Sequence, residues 1–172
     1  GVRGVEVAPG ERVQASDATP REVGDGATLF SNLNATTDGP DGDPLCDSHG
    51  SADLTSDIWY LYAPECDGRV TIDTCDADFD TRIAVYDGGG CPSAPSSMVC
   101  NDDACGLPNG WQSRVEFDGL ERQPYLIRVG GFNGTEGQGT LTVSTSCATI
   151  FSDGFELGGT GQWSSIRSEE RR

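Results

Sequence analysis

The sequence predicts an all-β chain: an antiparallel β-sandwich, jelly-roll-like, of eight to nine strands. Three observations carry this. Apolar residues recur at every second position, the period of a half-buried strand. Turns rich in Gly, Pro, Asn and Asp separate these runs at short, regular spacing. No segment offers an apolar stripe of 3.6-residue period over three turns.

Taken in order, residues 1–21 are polar with a short alternation at Val2, Val5 and Val7, and read as an extended arm. The first strand is ATLFSNL, from residue 27. Residues 34–57, dominated by Asp, Gly, Pro, Ser and Thr, read as a long loop. Ile58, Tyr60 and Tyr62 then share one face, as do Val70 and Ile72, Ile83 and Val85, Val115 and Phe117, Ile127 and Val129, and Leu141 and Val143. The turns between them are APECDG, DGGGCPSAP, CGLPNG and GGFNGTEGQG. The sandwich is therefore assigned to residues 22–146. Residues 147–172, which hold Trp163 among glycines before a charged end, form a tail or extra strands.

The 172 residues suffice for one domain with a real core. The net charge is −17, and all 11 basic residues are arginine. Such a surface repels phosphates and anionic lipid, so nucleic-acid binding is not expected; cations are attracted. No apolar run reaches the roughly 18 residues of a membrane span, so membrane insertion is not expected. Gly1 in place of an initiator methionine suggests a processed, mature form. Seven cysteines (46, 66, 75, 91, 100, 105, 147), none in a C-x-x-C pair, read as disulfides of an oxidising compartment rather than a zinc ribbon. Seven is odd, and Cys147, beyond the last expected core strand, is the candidate for a thiol that is free or bridges to another chain.

The stretch DADFDTRIAVYD at 76–87 places aspartates at positions 1, 3, 5 and 12 of a helix-loop-helix calcium loop, but position 6 is Thr81 where that loop needs glycine. The flanks read as strands, and RIAVY within the stretch is itself a strand, which puts Asp87 roughly 17 Å from the start of the cluster. Asp76, Asp78 and Asp80 remain as alternating carboxylates that repel unless a cation lies among them. A second acidic clump, Asn101, Asp102 and Asp103, completes a calcium site if both strands end at the same edge, since calcium takes six to eight oxygens at about 2.3–2.6 Å. A solvated acidic turn is the competing reading. A carboxylate-pair hydrolase lacks an apolar cleft to raise one acid's pKa, and His49 stands without a nucleophile motif. No enzymatic activity is expected.

Seven phrases, in order and spacing, resemble the bacterial pre-peptidase C-terminal domain family across about residues 22–145. They are ATTDGP (35–40), SDIWYLYAP (56–64), CDGRVTIDTC (66–75), FDTRIAVYDG (79–88), CNDDACG (100–106), YLIRVGGFNG (125–134) and GTLTV (139–143). The resemblance implies a secreted, often calcium-binding sandwich without catalytic residues. It gives weight to Asp80, Asp102 and Asp103 as ligands. It favours two bridges among the cysteines near 75, 91, 100 and 105, taken as Cys91–Cys100 and Cys75–Cys105, with Cys46–Cys66 remaining; Cys66–Cys75 is a rival. The chain departs from the family's usual setting in carrying no catalytic domain beside the module. The tail phrase IFSDGFELGGTGQW is similar to short C-terminal segments of exported proteobacterial proteins. Together these imply an exported bacterial protein of the cell surface or exterior.

Two functions compete for such a module. The first is a structural subunit of an extracellular homopolymer, its arm (Val2, Val5, Val7) donated as a strand to a neighbour's sheet. The second is an accessory that binds polysaccharide or insoluble protein, with Trp111, following LPNG, as the best contact aromatic among Trp59, Tyr60, Tyr62 and Trp163.

Overall fold

A computed structural model describes residues 20–106 and 110–148. The expected arm (Val2, Val5, Val7) and Trp163 lie outside the described residues. Nine strands are present there: β1 (Arg21–Val23), β2 (Gly26–Ser31), β3 (Leu54–Tyr62), β4 (Gly68–Asp73), β5 (Thr81–Asp87), β6 (Val99–Asn101), β7 (Arg114–Gly119), β8 (Tyr125–Phe132) and β9 (Gln138–Cys147). A single 3-10 turn, Pro44–Cys46, interrupts the long loop before β3.

The strands form two sheets. One runs β1-β3-β8-β5-β6 and the other β2-β9-β4-β7. All pairings are antiparallel except that of β1 with β3. The alternation seen in the sequence sets the register. Ile58 and Ile83 both oppose Val129, and Tyr60 and Val85 both oppose Ile127. In the facing sheet Ile72 opposes Val115 and Val143. These side chains, with Val70, Phe117 and Leu141, make the core between the sheets.

The first sheet is buried on its other face as well. β5 is covered on both sides through Tyr86, and β8 through Gly131. Residues of the 34–53 loop close over Trp59, Ala84, Tyr86, Leu126 and Leu54, which form a second apolar cluster with Cys46. Trp59, Tyr60 and Tyr62 are therefore core residues, not contact aromatics.

Two arginines rise from this covered face and are fully buried. Arg82 stacks over Phe132 and pairs with Asp102, and Arg128 stacks over Trp59 and pairs with Asp57. Asp57 reaches Arg128 because β3 bulges between Thr55 and Ile58, with Ser56 at φ 49°. Gly39 passes so close to the Arg128 guanidinium that an added Cβ would lie 2.3 Å from its Cζ. Gly39→Ala is expected to push the loop off Arg128 and to destabilise by about 1–3 kcal/mol, as overpacking does. Equilibrium denaturation checks this, against Gly90→Ala, whose added Cβ meets nothing.

Three disulfides cross-link the sandwich: Cys46–Cys100, Cys66–Cys147 and Cys75–Cys105. Two of the expected pairings are thus corrected. Cys46 is carried by the covering loop onto β6 and meets Cys100, so neither Cys46–Cys66 nor Cys91–Cys100 forms, while Cys75–Cys105 does. Cys66 meets Cys147 because β9 extends to Cys147 and pairs it with Gly68, beside the turn that holds Cys66. Cys147 is therefore a bridged strand residue rather than the odd thiol. Cys91 is exposed and is outside the three bridges.

Candidate cation site

Of the first acidic clump, Asp80 alone comes near the second, Asp102 and Asp103, at one end of the first sheet. Asp80 ends the β4–β5 turn. Its backbone carbonyl accepts from Phe132 N at 3.1 Å and from Thr135 Oγ1 at 2.6 Å, so its position is held from β8 and the following turn. Ser113, fully buried, lies within hydrogen-bonding distance of the carbonyls of Thr81 (2.5 Å), Asn101 (2.9 Å) and Asp102 (2.7 Å). That one hydroxyl fastens the start of β5 to the corner after β6.

At this corner Asp102 accepts from Arg82 Nη2 at 2.8 Å and from Nε at 3.4 Å. The pair fixes the carboxylate, yet each oxygen keeps further acceptor capacity. Asp103 projects beside it and lies 3.6 Å from His49 Nδ1. Ligand atoms of His49, Asp102 and Asp103 all fall within 4.8 Å of one another. They line a cleft of about 300 Å³ together with Asn101 and the Cys46–Cys100 bridge.

Asp80 carries a clear electrostatic signal. Its Oδ1 is buried and has no hydrogen-bond partner. Burial, then the charges of Asp102 and Asp103, push its carboxyl up to about 6 from the ordinary 3.8, with Arg82 and His49 pulling the other way. An orphaned carboxylate oxygen in the field of two further carboxylates is a poor arrangement for the protein alone, and a nearby divalent cation would relieve it.

The other expected ligands turn elsewhere. Asp76 Oδ1 accepts from Thr140 N at 2.8 Å and Asp78 Oδ1 from Gln138 N at 2.7 Å, so both fasten the start of β9 to the turn. Asn101 Oδ1 accepts from Arg114 N at 3.3 Å. Asp87 ends β5 and accepts from Gln123 Nε2 at 2.9 Å. Trp111 is 64% exposed beside β7.

His49 was not expected in the cluster. The signal was its turn: Ser48 and Ser51 exchange backbone hydrogen bonds at 3.0 Å around His49-Gly50, both at positive φ (50° and 81°). Two-residue turns of this kind favour Asn-Gly or Asp-Gly, so a histidine there is unusual. Ser113 gave no signal, since its role depends on three backbone carbonyls from separate segments.

No protein-family model matches the chain, and no curated protein does. Solved structures resemble it. The chain is similar to the pre-peptidase C-terminal domain of a collagenase from Bacillus anthracis, at 9% identity and TM-score 0.45, covering 73% of this chain and 94% of that one. It is also similar to PliG of Aeromonas hydrophila, a periplasmic inhibitor of g-type lysozyme (14%, TM-score 0.43, 74% and 98% covered). A third is CorA, a surface-associated copper-binding protein of Methylomicrobium album (11%, TM-score 0.42, 74% and 99% covered). Three disulfides suit an exported protein. Among the described residues no helix is long and apolar enough to cross a membrane.

Proposed function

We propose that this chain is a non-catalytic, calcium-stabilised β-sandwich that serves as a structural subunit of an extracellular assembly. The orphaned Oδ1 of Asp80, beside Asp102 and Asp103, carries the calcium part of this reading. Asp102 and Asp103, whose carboxylates lie within 4.8 Å of each other, would hold the ion, Asp80 would add its charge, and the other positions would fall to water. The ion's role is to neutralise charge and clamp the β4–β5 turn to the corner after β6. Assembly is supported by the edge of the second sheet: β2 pairs only with β9 among the described strands, and Leu29 on it is 79% exposed. An edge of that kind can accept a strand from another chain, and the alternation at Val2, Val5 and Val7 suits a donor. Donation from each subunit to the next does not close and yields a filament. The exposed Trp111 favours a second reading, an accessory that binds polysaccharide or insoluble protein.

Negative-stain imaging of the native material separates the two. Uniform fibres, lost when Val5 and Val7 are changed to aspartate, support assembly. A monodisperse monomer retained on chitin, cellulose or collagen through Trp111 supports the second reading instead.

The calcium part has its own test. At about 100 times its dissociation constant a ligand of the native state adds about 2.7 kcal/mol. Chelation is expected to lower the melting temperature of the parent and to leave Asp80→Asn unmoved. Asp118→Ala, at an exposed carboxylate, should respond as the parent does. Without calcium the folded state holds the Asp80 proton up to about pH 6, while an unfolded aspartate releases it near 3.8. The stability that protonated Asp80 confers is then present below the lower value and lost as pH rises through the upper one. Calcium-free protein should gain stability from pH 7 to 5, and Asp80→Asn should gain less. Melting curves that ignore both chelator and Asp80→Asn would sink the calcium site.

A further inference from the structure

The cluster differs from an all-oxygen calcium cage in one donor, the imidazole of His49. It stands at the tip of the Ser48–Ser51 turn, with Nδ1 3.6 Å from Asp103 Oδ2 and its ring edge-on to Phe132. The Ser48 hydroxyl, 2.9 Å away, also meets Nδ1. The turn is not free to wander. Three residues before the histidine, Cys46 is bridged to Cys100, and Asp102 and Asp103 stand two and three residues after that cysteine. One covalent bond therefore holds the nitrogen donor against the two oxygen donors. The Asp102 carboxylate is held in turn by buried Arg82, as the outer partners of metal ligands commonly are. A residue at φ 50° in such a turn would ordinarily be Asn or Gly, so the imidazole is placed there at some backbone cost. The Oδ1 of Asp80, buried and without a hydrogen-bond partner, belongs to a carboxyl that feels the charges of Asp102 and Asp103.

We infer that His49, Asp102 and Asp103 form a site for a divalent transition ion of the zinc class, held by one nitrogen and two carboxylates. Imidazole suits zinc, copper and nickel, whereas calcium takes oxygen almost exclusively. This rests on the cation-site reading above and narrows the class of ion. Asp80 adds its charge to the corner.

The substitution that tests this is His49→Asn. Asparagine fits the positive-φ position at least as well as histidine, so the turn and the fold are retained. It removes the nitrogen donor and offers an amide oxygen, a hard donor that calcium accepts. Zinc chloride and calcium chloride are titrated separately by calorimetry into the full, disulfide-intact chain. Cys91, exposed, is replaced by serine in every arm so that its sulfur contributes nothing. His49→Asn is expected to weaken zinc at least about tenfold, the scale on which loss of even outer-shell partners acts. Calcium affinity should hold within about twofold or tighten, since carbonyl-type oxygen is a calcium ligand. Zinc binding that is absent, or that His49→Asn leaves unchanged, overturns the inference. So does a parallel loss of both ions. Calcium binding without zinc removes the inference and leaves the calcium clamp standing. Zinc binding through His49 without calcium removes the clamp and leaves the inference. If neither ion binds, both fall.

Discussion

Asp57→Ala is expected to cost about 3–5 kcal/mol, the penalty for leaving a buried charge without its partner. The reason is the number of donors that converge on one carboxylate. Arg128 reaches it with Nη2 at 2.5 Å and Nε at 2.8 Å, Trp59 donates Nε1 at 3.1 Å, and the amides of Asp38 and Gly39 donate at 3.1–3.3 Å. Arg128 also donates to the carbonyls of Pro40 (2.7 Å) and Leu54 (2.8 Å). Removing Asp57 leaves a guanidinium with almost no exposure and strips the covering loop of its anchor on β3. In a domain of this size such a loss lowers the melting temperature by roughly 6–20 °C, at about 2–4 °C per kcal/mol. Arg128→Met keeps the packing over Trp59 but orphans the carboxylate, and should be costly for the mirror-image reason. The double variant Asp57→Ala/Arg128→Met should lose less than the two singles together, because neither charge is then stranded. Additive losses would show that the pair does not act as a unit.

This ion pair marks the limit of what the sequence disclosed. Ile58, Tyr60, Tyr62 and their cross-strand partners were legible because burial on one side imposes a period of two. RIAVY and LIRVG broke that rule: Arg82 and Arg128 alternate with core residues where a half-buried strand would place solvent. The physical reading of an arginine inside a central strand is a second covered face with a carboxylate waiting on it, and both carboxylates, Asp102 and Asp57, lie far away in sequence. The covering loop was recognised as a loop from its composition, but composition says nothing about where a loop docks. The acidic corner was half legible for the same reason. Asp80, Asp102 and Asp103 were named from local clustering. Asp76 and Asp78 were grouped with them because alternate residues point alike, yet the turn after Cys75 hands both to the start of β9. His49 arrives only through the Cys46–Cys100 bridge, a contact across 54 residues.

The Cys66→Ser/Cys147→Ser variant carries the other large effect. Its bridge spans 81 residues, against 54 and 30 for Cys46–Cys100 and Cys75–Cys105. Restricting the unfolded chain over that length amounts to about 4–5 kcal/mol in the chain-entropy account, with the two shorter loops below it by less than about 1 kcal/mol. Native contacts near the bridge do not depend on its sulfurs: Ala148 N donates to the Asp67 carbonyl at 2.7 Å and Glu121 N to its carboxylate at 2.7 Å. The change therefore acts mainly through the unfolded state, and chemical denaturation of the three double-serine variants should rank them by loop length. Cys46–Cys100 can break that ranking, because it also seats the covering loop over the second apolar cluster. A larger loss there than at Cys66–Cys147 would mean that docking the loop outweighs chain entropy. A loss below about 1 kcal/mol at Cys66–Cys147 would mean that the unfolded chain is already compact where β4 meets β9, which chain entropy does not allow for. Since a domain of this kind is stable by only about 5–15 kcal/mol in total, a loss of about 4–5 kcal/mol at one long bridge takes a large share of what keeps the sandwich folded.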